Sequence, residues 1–195
     1  MNASIHDEEQ LIANAKAGDA RAFTALVKKY EQMVYGYSFK VCRDPEKASE
    51  TLQDTFINVY RNLGQFNGKS KFSTWIYSIV TNNCLMNRRK RKIDQEMTYL
   101  DEPPGEKGEG NESPLLSWED VPSEKLLNKE LREHLDAAIQ KLPVEYRVVF
   151  ILCDIEDQTA EETAKILKLS VPAVKSRLRR ARVFLRNELA EFFHA

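Results

Sequence analysis

No stretch of this 195-residue chain approaches the roughly 20 apolar residues that span a bilayer, so direct membrane insertion is not expected. Apolar–polar alternation of period two is missing as well. That argues against a sheet protein and leaves the 3.6-residue repeat as the only strong pattern, so an all-α fold is expected. Cysteines are few and odd in number: Cys42, Cys84 and Cys153 lie far apart with no C-x-x-C spacing. A disulfide framework is therefore not expected, and free thiols in a reducing cytoplasm are. The histidines His6, His134 and His194 stand at no ligand spacing to those cysteines, so neither zinc nor any other metal or cofactor is expected. The first residues, MNASIHDEE, are acidic rather than apolar and do not read as a secretory leader.

The chain does have sharply segregated charge. The net charge is −1, yet Arg88, Arg89, Lys90, Arg91 and Lys92 are five bases in a row. From Asp94 to Glu124 ten acids face Lys107 alone. A near-neutral total built from alternating basic and acidic blocks is compatible with nucleic-acid binding. The acidic stretch also holds four of the seven prolines and three of the seven glycines, with little to bury beyond Leu115, Leu116 and Trp118. It reads as a flexible linker over 94–123 between two small helical domains, 1–93 and 124–195. No internal repeat is visible.

In chain order, Glu8 to Ala17 is a short helix stopped by Gly18, and Asp19 caps a longer one carrying Phe23, Leu26, Val27, Tyr30, Val34 and Tyr37. Asp44-Pro45 is a cap followed by proline at the first helical position. The next helix has an apolar stripe of Ala48, Leu52, Phe56, Val59 and Leu63 and a polar face of Glu46, Glu50, Gln53, Asp54 and Asn58. That face suits a basic partner or plain solvation. Carboxylates four residues apart could also hold a metal, but there is no neighbouring histidine or second carboxylate helix. A polar loop, QFNGKSK, precedes a helix with Phe72, Trp75, Ile76, Ile79 and Val80 on one side. Its other side offers Tyr77, Thr81, Asn82, Asn83 and Asn87 and runs into the five bases. Amides and aromatics leading into a basic block are what a single-stranded nucleic acid requires: edge-reading, stacking and phosphate neutralisation.

The densest signal lies over 159–186, TAEETAKILKLSVPAVKSRLRRARVFLR. Thr159 followed three residues later by Glu162 is a capping box. Ser170 caps a second helix with Pro172 in its first turn, and Lys168-Leu169-Ser170 joins the two as a helix-turn-helix. Val174, Leu178, Ala181 and Leu185 form one apolar stripe, while six bases and no acid lie between Lys175 and Arg186. A solvated basic face is the bland alternative. The coincidence of cap, short turn and basic clustering favours a helix laid in a DNA major groove.

These residues resemble a known family. LPVEYRVVFILCDIEDQTAEETAKILKLSVPAVKSRLRRARVFLR resembles region 4 of the extracytoplasmic-function (group 4) sigma factors, and SETLQDTFINVYRNLGQFNGKSKFSTWIYSIVTNNCLMNRRKRK resembles their region 2. The resemblance implies a non-enzymatic subunit that binds core RNA polymerase and directs it to promoter DNA, with an anti-sigma protein as a further partner. It implies polymerase docking through Glu50, Gln53, Asp54 and Asn58. It implies −10 recognition and melting through Phe66, Asn67, Lys69 and Asn82, with Arg88, Arg89, Lys90, Arg91 and Lys92 on phosphates. It implies reading of the −35 duplex through Pro172, Ala173, Lys175, Ser176 and Arg177, supported by Arg179, Arg180 and Arg182. This chain differs from the family pattern at Ser49, Thr51 and Pro172-Ala173, and it has Asp157 and Lys168 where glycine is common. A self-sufficient operator-binding regulator would explain the helix-turn-helix but not the Asn82-to-Lys92 surface. A metal-dependent nuclease or recombinase would need converging ligands beyond Glu46, Glu50 and Asp54.

Overall fold

The computed structural model describes the backbone of residues 2–96 and 127–193 and the side chains of 7–87 and 134–190. Among these, every regular element is helical. The linker, with Leu115, Leu116 and Trp118, lies outside the described residues, as do the side chains of Arg88 to Lys92. Helix α1 spans Asn2–Lys16, α2 Ala20–Cys42, α3 Pro45–Asn62 and α4 Phe72–Glu96. After the linker come α5 Leu127–Lys141, α6 Val144–Phe150, α7 Ala160–Leu167 and α8 Val171–Phe193.

The helix starts are locally determined. Asp19 accepts the Arg21 and Ala22 amides at 2.8 and 3.2 Å, and Asp44 accepts those of Glu46 and Lys47 at 3.1 Å, with Pro45 opening α3. The capping box forms: the Thr159 hydroxyl accepts from the Glu162 amide at 3.1 Å while the Glu162 carboxylate accepts from the Thr159 amide at 3.1 Å. Ser170 Oγ accepts the Ala173 amide at 3.3 Å, capping α8. Helix α6 continues through one π-helical turn, Ile151–Ile155, where the Glu156 amide reaches Ile151 O at 2.9 Å.

Helices α2, α3 and α4 enclose an apolar core of Leu26, Val34, Tyr37, Val59, Ile76 and Val80. Two residues expected on the open side of α4 belong to this core instead: Tyr77 is 4% exposed and Thr81 2%. The reason is long-range. Tyr37 and Thr81 share a 2.7 Å hydroxyl–hydroxyl bond, and the second half of the chain packs over Tyr77. Val148, Ile151, Leu152 and Ile166 all join the cluster built by the first four helices. A smaller cluster of Ala138, Ile139, Leu142, Phe150, Ala181 and Leu185 holds α5, α6 and α8 together.

Polar links rim this shared core. Glu156 accepts from Lys40 Nζ at 2.5 Å and from Tyr77 Oη at 2.6 Å. Arg147 donates to Val41 O at 3.0 Å and also to Leu142 O at 2.9 Å within its own half. Arg43 pairs with Asp136, and Lys71 lies 3.6 Å from Glu162. None of the three cysteines forms a disulfide, and Cys42 and Cys84 meet across α2 and α4. Contact with Cys42, followed by burial, holds the Cys84 thiol protonated well above its ordinary range.

Candidate nucleic-acid interface

Three surfaces carry the residues singled out in the sequence. The first is the seam between α3 and α4. Asn58 Nδ2 donates to Asn83 Oδ1 at 3.1 Å, and Asn83 Nδ2 donates to Thr55 Oγ1 at 3.1 Å. Asn62 Nδ2 donates to Asn58 O at 2.8 Å, and Gln65 Nε2 donates to Asn62 Oδ1 at 3.1 Å. This relay lines a cavity of about 470 Å³ whose wall includes Trp75, Asn82, Ile166, Leu167 and Lys168. Asn82 is exposed and lines the pocket. Such a pocket can accept a planar, polar-edged group against an indole face.

Two expected members of this site are placed differently. Phe66 is 9% exposed and packs on Phe72 and Trp75 at 5.1 and 5.4 Å between ring centroids, so its ring builds the loop's base and is not presented to a ligand. Its carbonyl accepts from Lys16. Asn67 is spent partly on the turn itself, its Oδ1 accepting the Lys69 amide at 3.2 Å beside Gly68 at φ 72°. Lys69 is exposed. The five bases Arg88 to Lys92 continue on the same helix as Asn82, inside α4.

The second surface is α8. Val174, Ala181 and Leu185 are fully buried against α5, α6 and α7, turning the opposite face outward. Pro172, Lys175, Ser176, Arg179, Arg180 and Arg182 are exposed, and Ala173 and Arg177 half-buried. Arg182 already has a partner: it donates through Nε and Nη2 to Asp154 at 2.9 and 2.6 Å, which raises its pKa further. Arg180 reaches Tyr146 Oη at 3.3 Å.

The third surface is the outer face of α3. Glu50, Gln53 and Asp54 are exposed on it, whereas Asn58 turns inward to Asn83 and belongs to the amide pocket. Sequence reasoning missed its apolar content. Ile57 is 47% and Tyr60 62% exposed, and both line a shallow groove with Phe23, Gln53, Phe56 and Arg61. The signal was legible: two large apolar residues three apart on an otherwise polar helical face. Among the described residues no group of three His, Cys, Asp or Glu side chains is placed to hold a metal ion.

The comparisons with known proteins bear on all three surfaces. Residues 26–93 match the family model for Sigma-70 region 2, and residues 132–185 match that for Sigma-70, region 4. The chain is 34% identical over 178 residues to the RNA polymerase sigma-H factor of Pseudomonas aeruginosa, covering 90% of each protein. It is 33% identical to the ECF RNA polymerase sigma factor SigW of Bacillus subtilis, covering 92% of this chain and 95% of that one. This chain belongs to the extracytoplasmic-function group of sigma-70 family sigma factors. The fold agrees: the sigma factor RpoE of Bartonella quintana, solved with the anti-sigma factor NepR, superposes with a TM-score of 0.62 at 20% identity over 88% of this chain and 98% of that one. As a sigma factor the protein is not an enzyme; it is a transcription initiation subunit that works with core RNA polymerase on promoter DNA. Region 2 therefore contains the amide relay and the α3 face, and region 4 contains the helix-turn-helix, whose Ile166, Leu167 and Lys168 form the remaining wall of the pocket. No helix among the described residues is long and apolar enough to cross a membrane.

Proposed function

We propose a division of labour among the three surfaces of this sigma factor. The α3 face, Glu50, Gln53 and Asp54 with Ile57 and Tyr60, docks on core polymerase. Its polar rim sets orientation and its two exposed apolar side chains supply buried area. The α3–α4 pocket takes an unstacked base of the −10 strand, with Asn82 at its mouth and Lys69 and Arg88 to Lys92 on phosphates. Region 4 enters the −35 major groove with Pro172, Ala173, Lys175, Ser176 and Arg177, while Arg179 and Arg180 face the backbone. The protein works in the cytoplasm, and an anti-sigma protein restrains it, as NepR binds the RpoE of like fold.

The observation that carries the −10 assignment is the set of amides that α3 and α4 present to the cavity, Asn58, Asn82 and Asn83, with α4 running on into five consecutive bases. Flipping a base out of a duplex costs a few kcal/mol, so a melting factor needs both a receptive pocket and phosphate neutralisation close by. The test is footprinting and abortive transcription with core polymerase, the sigma factor and both together. The pair is expected to melt a −10 region in a salt-sensitive complex, and Asn82→Ala to impair melting more than duplex engagement. Protection of a specific duplex by the protein alone, unchanged by core, would instead establish an operator-binding regulator.

A further inference from the structure

Cys84 lies on α4 between Asn82 and the five bases, and it meets Cys42, the last residue of α2. We infer that these two cysteines are a peroxide-oxidisable dithiol, closing to an intramolecular disulfide that fixes α4 against α2 beside the −10 residues. The oxidation stands on the pair itself; its effect on promoter melting rests on the proposed role of α4.

The pair is reachable. Cys42 and Cys84 line one cavity of about 140 Å³ together with Val41, Lys47, Thr51 and Arg147. A water needs only about 10–15 Å³ of such space, so hydrogen peroxide fits. Cys42 is half-buried and Cys84 is 4% exposed, so an oxidant meets Cys42 first. Lys47 and Arg147 bring two positive charges to the same wall, the setting in which a cysteine reacts as its thiolate. Contact with Cys42, then burial, keeps the proton on Cys84, which makes Cys84 the donor of the pair and Cys42 its nucleophile. Cys153 stands elsewhere, against the Thr163 hydroxyl at 3.4 Å.

The chemistry balances. The Cys42 thiolate attacks one peroxide oxygen, the O–O bond breaks, and the departing hydroxide takes up the proton that the thiol shed. Cys42 is left as a sulfenic acid. The Cys84 sulfur then attacks the Cys42 sulfur, the S–O bond breaks, and the Cys84 proton leaves with the hydroxyl as water. Two thiols have lost two electrons and two protons, and the peroxide has gained them as water. In a reducing compartment such a bond is transient, the behaviour of a sensor and not of a structural staple.

The bond would act on α4. A disulfide is about 2.05 Å between sulfurs, shorter than any thiol–thiol hydrogen bond, so closing it draws the end of α2 and the middle of α4 together. Asn82 and Arg88 each lie within little more than one helical turn of Cys84. The helix-turn-helix lies outside the bridged segment.

The test uses the full chain. Wild type, Cys42→Ala and Cys84→Ala are treated with hydrogen peroxide, which catalase removes before core polymerase is added. In non-reducing tryptic mass spectrometry of the wild type, peptides 41–43 and 72–88 should appear joined, two hydrogens lighter than their sum, and separate again with dithiothreitol. Cys84→Ala should stop at a Cys42 sulfenic acid that dimedone traps. Oxidised wild type should lose −10 melting on the order of tenfold, as positioning groups shifted by an ångström do, while −35 duplex binding is kept. Dithiothreitol should restore melting, and both variants should keep it after treatment. Absence of the joined peptides, a bond between two chains, or a sulfenic acid that persists on wild-type Cys42 overturns the dithiol. A complete disulfide with undiminished melting overturns its coupling to α4. If reduced Asn82→Ala melts promoters as wild type does, the −10 reading fails, and the joined peptides still decide the dithiol.

Discussion

Lys168 sits at φ 54°, ψ 45°, just past the last turn of α7, and its amide bonds back to Ala164 O and Lys165 O. A side chain in this left-handed region costs about 1–2 kcal/mol. Lys168→Gly removes that cost but gives the unfolded chain more freedom, worth about 0.5–1 kcal/mol. The net expectation is a gain of about 0.5–1 kcal/mol, or roughly 1–4 °C in thermal midpoint for a protein of this size. The assay is thermal and urea unfolding of the full chain beside Lys168→Ala, which loses the same charge and keeps the strain. Glycine should exceed alanine by the full margin. Equal midpoints for the two variants would refute the strain argument. Asp157 stands at φ 50° and should gain less from glycine, because aspartate tolerates this region better.

Two further outcomes are expected. Asp154→Ala frees Arg182 from its two carboxylate bonds, so −35 duplex affinity should rise and the slope of log affinity against log salt should steepen by about 0.9 if one more phosphate is engaged; an unchanged slope would show that Arg182 meets no phosphate. Glu162 is held below the usual carboxylate range, chiefly by the Thr159 amide, with the Thr159 hydroxyl and Lys71 adding and burial opposing. A lowered folded-state pKa stabilises above the unfolded value of about 4.3 and stops doing so as pH falls through the folded one. The thermal-midpoint advantage of the wild type over Glu162→Gln should therefore shrink between pH 6 and pH 3, and a constant difference would contradict it.

What was legible in the sequence was local. Asp19, Asp44, Thr159 with Glu162, and Ser170 each find their partner within three residues, and each caps the helix it was expected to cap. The strained positions Asp157 and Lys168 stood out only through the family resemblance, as residues where glycine is usual. What could not be read depends on partners far along the chain. Tyr77 meets Glu156 across 79 residues and Lys40 meets it across 116, so helical periodicity placed Tyr77 on the wrong side of α4. Asn58 satisfies the spacing of the α3 polar face but turns inward because Asn83 lies opposite it on another helix. Phe66 read as a loop aromatic because nothing local shows that Phe72 and Trp75 close over it.

Helix α6 and its π-helical turn serve two interiors: Phe150 packs with α5 and α8, while Val148, Ile151 and Leu152 pack into the first four helices. Each such side chain returned to water costs up to about 1.5–3 kcal/mol. The contact between the two halves of the chain is thus a continuous apolar strip and not a set of isolated side chains. Truncating Ile151 or Leu152 should therefore loosen the packing of both halves together, and not of one alone.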